Sequence, residues 1–199
     1  GTGYWLTKAK EAGIRIICVD PRYTEAAASF AQQWLPVRPG TDAAALIAIA
    51  YVIIKEGLQD QHFLNTYIIG FEKFRDYVMG IEDGKPKTPA WAEAISGMPA
   101  TAIATLAREY ATTKPAALLA AWSPGRTAFG EQFHRAAMTL AAMTGNIGVS
   151  GGNAAGYEGL PYGSLSKNMP VGQNPLGQQS TRPWEGINPY SKADKEGPA

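Results

Sequence analysis

The sequence predicts an α/β fold with a mainly parallel sheet, flanking helices and a loop-rich C-terminal segment. Three observations carry that prediction. Short apolar runs alternate with longer stretches of helical periodicity, which is the pattern of repeated β–α units. The first run, residues 14–19 (IRIICV), is β-branched and almost wholly apolar, as in a strand covered on both faces. From Gly148 onward Gly, Pro, Asn and Ser crowd the chain and sustained periodicity stops.

The elements follow in order. Residues 4–12 read as a helix, with Tyr4, Trp5, Leu6 and Ala9 opposite Lys8, Lys10 and Glu11, and Gly13 as its C-terminal stop. After the 14–19 strand, a second extended piece at 33–38 ends at Pro39-Gly40. Thr41 or Asp42 then caps a long helix running to about Lys55 and stopped by Gly57. Residues 60–67, 71–79 and 89–95 read as further helices, and 99–111 opens with a proline in its first turn. Residues 116–121 are a second apolar strand candidate, and 130–143 a helix with Phe133, Ala137, Leu140 and Ala141 on one face. The expected division is a folded domain over 1–148 and a Gly/Pro-rich extended or disordered segment over 149–199.

Composition narrows the function classes. Hydrophobic residues are 45% of the 199 and charged residues 18%, enough apolar material for a real core. The net charge of +1 gives no reason to expect nucleic acid as a partner. One cysteine, Cys18, excludes an intrachain disulfide and reads as a small buried strand residue. The longest apolar run, 43–54, is twelve residues, shorter than a membrane span. The opening GTGYWLTKAKEAG enters a helix at once without an initiator methionine or a basic leader, so the chain is expected to be part of a longer polypeptide.

Two polar turns, some twenty residues apart, each follow an extended segment: Val19-Asp20-Pro21-Arg22 and Arg38-Pro39-Gly40-Thr41-Asp42. In open α/β sheets, ligands bind outside the carboxyl ends of the strands, where helix N-termini point their amides outward. A carboxylate there accepts two hydrogen bonds from guanine N1 and N2 or from a pair of ribose hydroxyls, and an arginine meets phosphate bidentately. The same residues also suit an ordinary Asp-Pro turn and an ordinary Thr-Asp helix cap. Neither GxGxxG, GxxxxGK[ST] nor GxSxG occurs in the sequence.

Taken in order, VDPRYTEAA, RPGTDAAAL, WSPGR and TGNIGVSGGN resemble the catalytic subunit of molybdopterin oxidoreductases of the dimethyl sulfoxide reductase family, over residues 4–156. The chain is most similar to the bacterial anaerobic dimethyl sulfoxide reductase type. The resemblance implies a Rossmann-like dinucleotide-binding domain that grips one guanine end of a molybdenum bis(molybdopterin guanine dinucleotide). It implies that Asp20 and Asp42 approach guanine and ribose, with Val19, Pro21, Arg22, Gly40 and Thr41 beside them. By the same resemblance Trp122, Ser123 and Arg126 line the substrate funnel or touch the pterin, and Gly145 and Asn146 run past the cofactor. An iron–sulfur cluster, the molybdenum ligand and a further pterin-binding domain are expected on other parts of the enzyme. So are an iron–sulfur electron-transfer subunit, a membrane anchor subunit and twin-arginine export to the periplasm. The implied chemistry is oxygen-atom transfer in anaerobic respiration, and this chain alone is expected to be inactive and to bind no metal. From the residues alone, a stand-alone α/β nucleotide- or metabolite-binding module without redox activity and a purely structural domain remain open.

Overall fold

A computed structural model describes residues 2–121 and 123–153, all of which lie within one compact unit. Most of it is helix. The helices are α1 (Thr2–Glu11), α2 (Glu25–Phe30), α3 (Asp42–Lys55), α4 (Gln61–Tyr67), α5 (Phe71–Met79), α6 (Pro89–Ser96), α7 (Ala100–Thr112) and α8 (Glu131–Met143). Two three-residue strands, β1 (Ile17–Val19) and β2 (Gln33–Leu35), pair in parallel, with Ile17 opposite Gln33, Cys18 opposite Trp34 and Val19 opposite Leu35.

Helix α3 organises the core. Its sequence, DAAALIAIAYVIIK, is apolar almost all round, so it must be enclosed, and α5, α6, α7 and α8 enclose it. Ala48, Ala50 and Ile53 are fully buried, beside Val78, Ala92, Met98, Ile103, Leu140 and Met143 from the surrounding elements. Side-chain caps fix several of the helix starts. Asp60 Oδ1 accepts from the Phe63 amide at 2.8 Å, and Thr88 Oγ1 from Trp91 at 3.1 Å with Pro89 in the first turn. A bidentate Arg108–Glu56 pair joins α7 to the end of α3 at 2.8–2.9 Å. The buried Lys87 is satisfied by Asp83 Oδ2 at 2.6 Å and lies 4.6 Å above the Tyr77 ring centroid.

The α/β class holds in a coarser form than the sequence suggests. The sheet among the described residues is two strands, and the predicted 14–19 strand contracts to Ile17–Val19. It is not covered on both faces: Val19 is 44% exposed and Ile14 55%. With one neighbouring strand and three residues of pairing, the apolar run has too little sheet around it to be enclosed.

Helix α2 was not predicted and occupies the stretch between the strands, capped by Thr24 Oγ1, which accepts from the Ala27 amide at 3.2 Å. Residues 116–121, predicted as a strand, form none. Their backbone is met by side chains instead of a neighbouring strand: Asn146 Oδ1 accepts from the Ala116 amide at 3.1 Å and Asn153 Oδ1 from the Leu118 amide at 2.8 Å. Residues 149–153 close a tight turn through an Ile147–Asn153 bridge. The rest of the predicted loop-rich segment, 154–199, lies outside the described residues.

Candidate functional site

Because β1 and β2 run in parallel, both strands end on the same edge. Asp20 follows Val19 there, and Pro36 follows Leu35. The Asp20 amide still donates to Leu35 O at 3.2 Å, so the first turn begins one residue beyond the last paired position. Asp20 Oδ1 accepts from the Arg22 amide at 2.8 Å, closing an Asx turn over Pro21. Oδ2 has no partner among the described residues. The Trp34 indole donates to Asp20 O at 2.9 Å, and its ring packs 5.3 Å from Tyr23. The turn is therefore held from its backbone side while one carboxylate oxygen stays open. Arg22 is exposed beside it.

The second turn is held just as firmly. The Arg38 guanidinium donates to Ala94 O and Ile95 O, at 3.2 and 3.1 Å, and its amide donates to Ser96 O at 2.8 Å. Arg38, which opens the second turn, thus caps the C-terminus of α6 and leaves Arg22 as the arginine open beside the aspartates. Thr41 stands at the N-cap of α3, but its hydroxyl donates back to Arg38 O at 2.7 Å, so the first turn of α3 has no side-chain cap. Asp42 is the first residue of that helix, half-buried. Burial pushes its carboxyl above the ordinary carboxylate range. The amides of Asp42 and Gly40 partly offset this, and the negative charge of Asp20 adds to the rise. The Asp20 carboxylate is thus near enough to act on Asp42. An open cleft of about 370 Å³ lies between the turns, lined by Pro21, Pro36, Val37, Arg38, Pro39 and the α6 end, Ser96 and Gly97.

A third segment reaches this edge. Ser123–Arg126 form a 3₁₀ turn, and Thr127 follows with its methyl against Gly40, 3.7 Å from where a Cβ there would lie. Ser123 and Arg126 are exposed on this turn, and the His134 ring packs so closely on Gly125 that a Cβ would collide with it. Trp122 lies outside the described residues.

Gly145 and Asn146 are elsewhere, beyond the end of α8. Gly145 abuts Asp60, and Asn146 is fully buried with its side-chain amide engaged by Thr144 Oγ1 and the Ala116 amide. Cys18 is half-buried rather than enclosed, and burial, then the Asp20 charge, holds its thiol above its ordinary value and so protonated.

The structure thus brings together Asp20, Pro21, Gly40, Thr41, Asp42 and the 123–127 turn, and sets Gly145 and Asn146 apart. Sequence reasoning missed Trp34, Ser96, Gly97 and Thr127. A tryptophan within the extended piece 33–38, just ahead of the second polar turn, is the sequence signal for Trp34. The other three have only tertiary signals.

Known proteins place the chain. Residues 3–193 match the molybdopterin oxidoreductase family model. The dimethyl sulfoxide reductase DmsA of Escherichia coli (strain K12) is 42% identical over 190 residues, which is 88% of this chain and 23% of that protein. The trimethylamine-N-oxide reductase of Haemophilus influenzae is 35% identical over 189 residues, 90% of this chain and 22% of that one. Among solved structures, acetylene hydratase from Pelobacter acetylenicus is similar with a TM-score of 0.62 and 31% identity, covering 70% of this chain and 18% of its own. The chain spans under a quarter of the length of these relatives. It belongs to the molybdopterin oxidoreductase family.

Proposed function

We propose that this chain is the Rossmann-like part of a molybdopterin oxidoreductase catalytic subunit that seats one guanine dinucleotide end of the cofactor. The observation that carries this is the shared edge: parallel pairing ends both strands on one side of the sheet, and Pro21 of the Asp20 turn and Arg38 and Pro39 of the Asp42 turn line one cleft between them. The donor set fits. Asp20 keeps an open carboxylate oxygen for guanine N1–H and N2–H₂, and Asp42 suits a pair of ribose hydroxyls. The uncapped first turn of α3 and the exposed Arg22 suit phosphate oxygens. When bound, the molybdenum cofactor would supply the removal of an oxygen atom from an S-oxide or N-oxide, in keeping with relatives named as reductases of dimethyl sulfoxide and trimethylamine N-oxide. The chain's own residues bind, orient and desolvate the nucleotide end. Iron–sulfur centres, an electron-transfer subunit and a membrane anchor belong to this proposal as parts of the larger enzyme in anaerobic respiration.

The likeness to a protein named as a hydratase favours a second reading, in which the same seat serves a reaction other than oxygen-atom transfer. Both readings share the nucleotide seat. The test is Asp20→Asn in the full-length enzyme. Cofactor occupancy should fall while turnover per bound molybdenum stays nearly constant. Normal occupancy with collapsed turnover per molybdenum would place Asp20 in catalysis or electron transfer and remove the guanine assignment.

A further inference from the structure

The glycine-rich segment TGNIGVSGGN does not reach the cleft, yet it carries the most connected buried polar cluster among the described residues. Thr144 and Asn146 are fully buried. Asn146 Nδ2 donates to Thr144 Oγ1 at 2.8 Å, and its Oδ1 accepts from the Ala116 amide at 3.1 Å. Two residues further along the extended segment, Asn153 makes a two-way contact. Its Oδ1 accepts from the Leu118 amide at 2.8 Å, and its Nδ2 donates to Leu118 O at 2.6 Å. The Asn153 amide donates to Asn146 O at 2.7 Å, so the two asparagines are tied to each other. Gly151 packs on the same segment, where a Cβ would lie 2.8 Å from Pro115 Cγ.

A side-chain amide has the donor–acceptor pair of a peptide group. Asn153 therefore offers Leu118 both bonds that the next strand of a sheet would offer, and Asn146 offers Ala116 the acceptor, so alternate residues are met. Five residues after that segment begins the 3₁₀ turn of Ser123–Arg126, and Thr127 beyond it touches Gly40 at the cleft.

We propose that Asn146 and Asn153 are positioning residues. They splint residues 116–118 in extended form and so fix where the 123–127 turn meets the nucleotide seat. The role of that turn rests on the function proposed above. The splint itself does not.

The first test needs no variant. In the 199-residue chain, the Ala116 and Leu118 amides should exchange about tenfold more slowly than those of Ala117 and Leu119, which have no hydrogen bond among the described residues. Uniformly fast exchange over 116–119 would overturn the splint.

The second test separates the two Asn153 bonds. Asn153→Asp keeps the acceptor for the Leu118 amide but sets oxygen against Leu118 O at neutral pH. Once protonated, the introduced carboxyl has both a donor and an acceptor. The ratio of Leu118 to Ala117 exchange should therefore approach one at neutral pH and return toward the parent value as the pH falls through the carboxyl range. A ratio indifferent to pH would refute the two-way contact, and the parent chain serves as control.

The third reading is functional. Asn153→Ala should weaken binding of guanosine diphosphate about fivefold, with exchange in α3 and α7 unchanged. A loosened 116–127 segment with unaltered affinity would remove the positioning role. If the parent chain does not bind the nucleotide, the seat assignment fails, and the exchange pattern still decides the splint. If the alanine variant does not fold, the parent pattern and the Asn153→Asp profile decide.

Discussion

Helix α3 and strand β1 are both apolar runs, and the fold treats them in opposite ways. Eight residues of α3 are buried, because four other helices close around it. None of the three residues of β1 is, and Val19 at its end is 44% exposed. The difference separates two tasks. Cooperative stability comes from helix packing around α3, whereas the strand edge contributes little burial and keeps its polar turns accessible. The turns are nonetheless held in place by the side chains of Trp34, Arg38 and Thr41, which donate to backbone carbonyls. Holding the backbone while leaving a carboxylate oxygen open is a workable arrangement for a binding site.

That contrast breaks most visibly under truncation. Ile53→Ala, at a fully buried position in the last turn of α3, should cost about 2–5 kcal/mol by chemical denaturation. Val19→Ala should cost well under about 1 kcal/mol. Comparable losses at the two positions would show that the edge is part of the core. Next in size is Gly145→Ala. Gly145 has φ +64, and an added Cβ would lie 2.5 Å from Asp60 Oδ2, so about 1–3 kcal/mol should be lost. Asp60→Ala removes the cap on the Phe63 amide and should cost about 1 kcal/mol. If Gly145→Ala proves harmless, the 144–146 turn does not press on α4 as described.

The smallest effect concerns pH. The Asp42 carboxyl is raised in the folded chain, so folding disfavours its charged form. That penalty is present above the folded value and disappears once the pH falls below the ordinary carboxylate range, where the group is protonated in both states. Asp42→Asn should therefore match or slightly exceed the parent in melting temperature at neutral pH, and the difference should shrink on acidification. A variant that is less stable at neutral pH and gains on acidification would mean that the charge favours the folded chain, as at an ordinary helix N-terminus.

The helical half was largely legible in the sequence. The bounds of α5 coincide with the expected 71–79, and those of α3, α6, α7 and α8 fall within about two residues. Local rules suffice there: a 3.6-residue period, Thr88-Pro89 and Asp60 at starts, Gly57 and Gly80 at ends. Helix α2 is harder to read although Thr24 before EAAASF is an ordinary cap, because six residues are too few to show a helical period.

The strands were harder, since an apolar run does not state its neighbours. Residues 116–121 carry the right composition, but their hydrogen bonds go to Asn146 and Asn153, thirty or more residues away, which no local period reports. The positions of the two aspartates were legible from turn chemistry. That Arg38 spends its guanidinium on α6, and that Thr127 meets Gly40, depends on tertiary packing alone.

The central claim is that the Asp20 turn reads guanine, and paired nucleotide titrations test it most directly. The parent chain should bind guanosine diphosphate no tighter than about millimolar, as an open half-site would. Asp42→Ala should weaken guanosine and adenosine diphosphates alike. Asp20→Asn replaces a carboxylate acceptor facing N1–H and N2–H₂ with a donor-bearing amide, so it should weaken the guanine nucleotide clearly more than the adenine one. Equal loss for both bases, or no loss for either, would contradict the assignment of Asp20 to guanine.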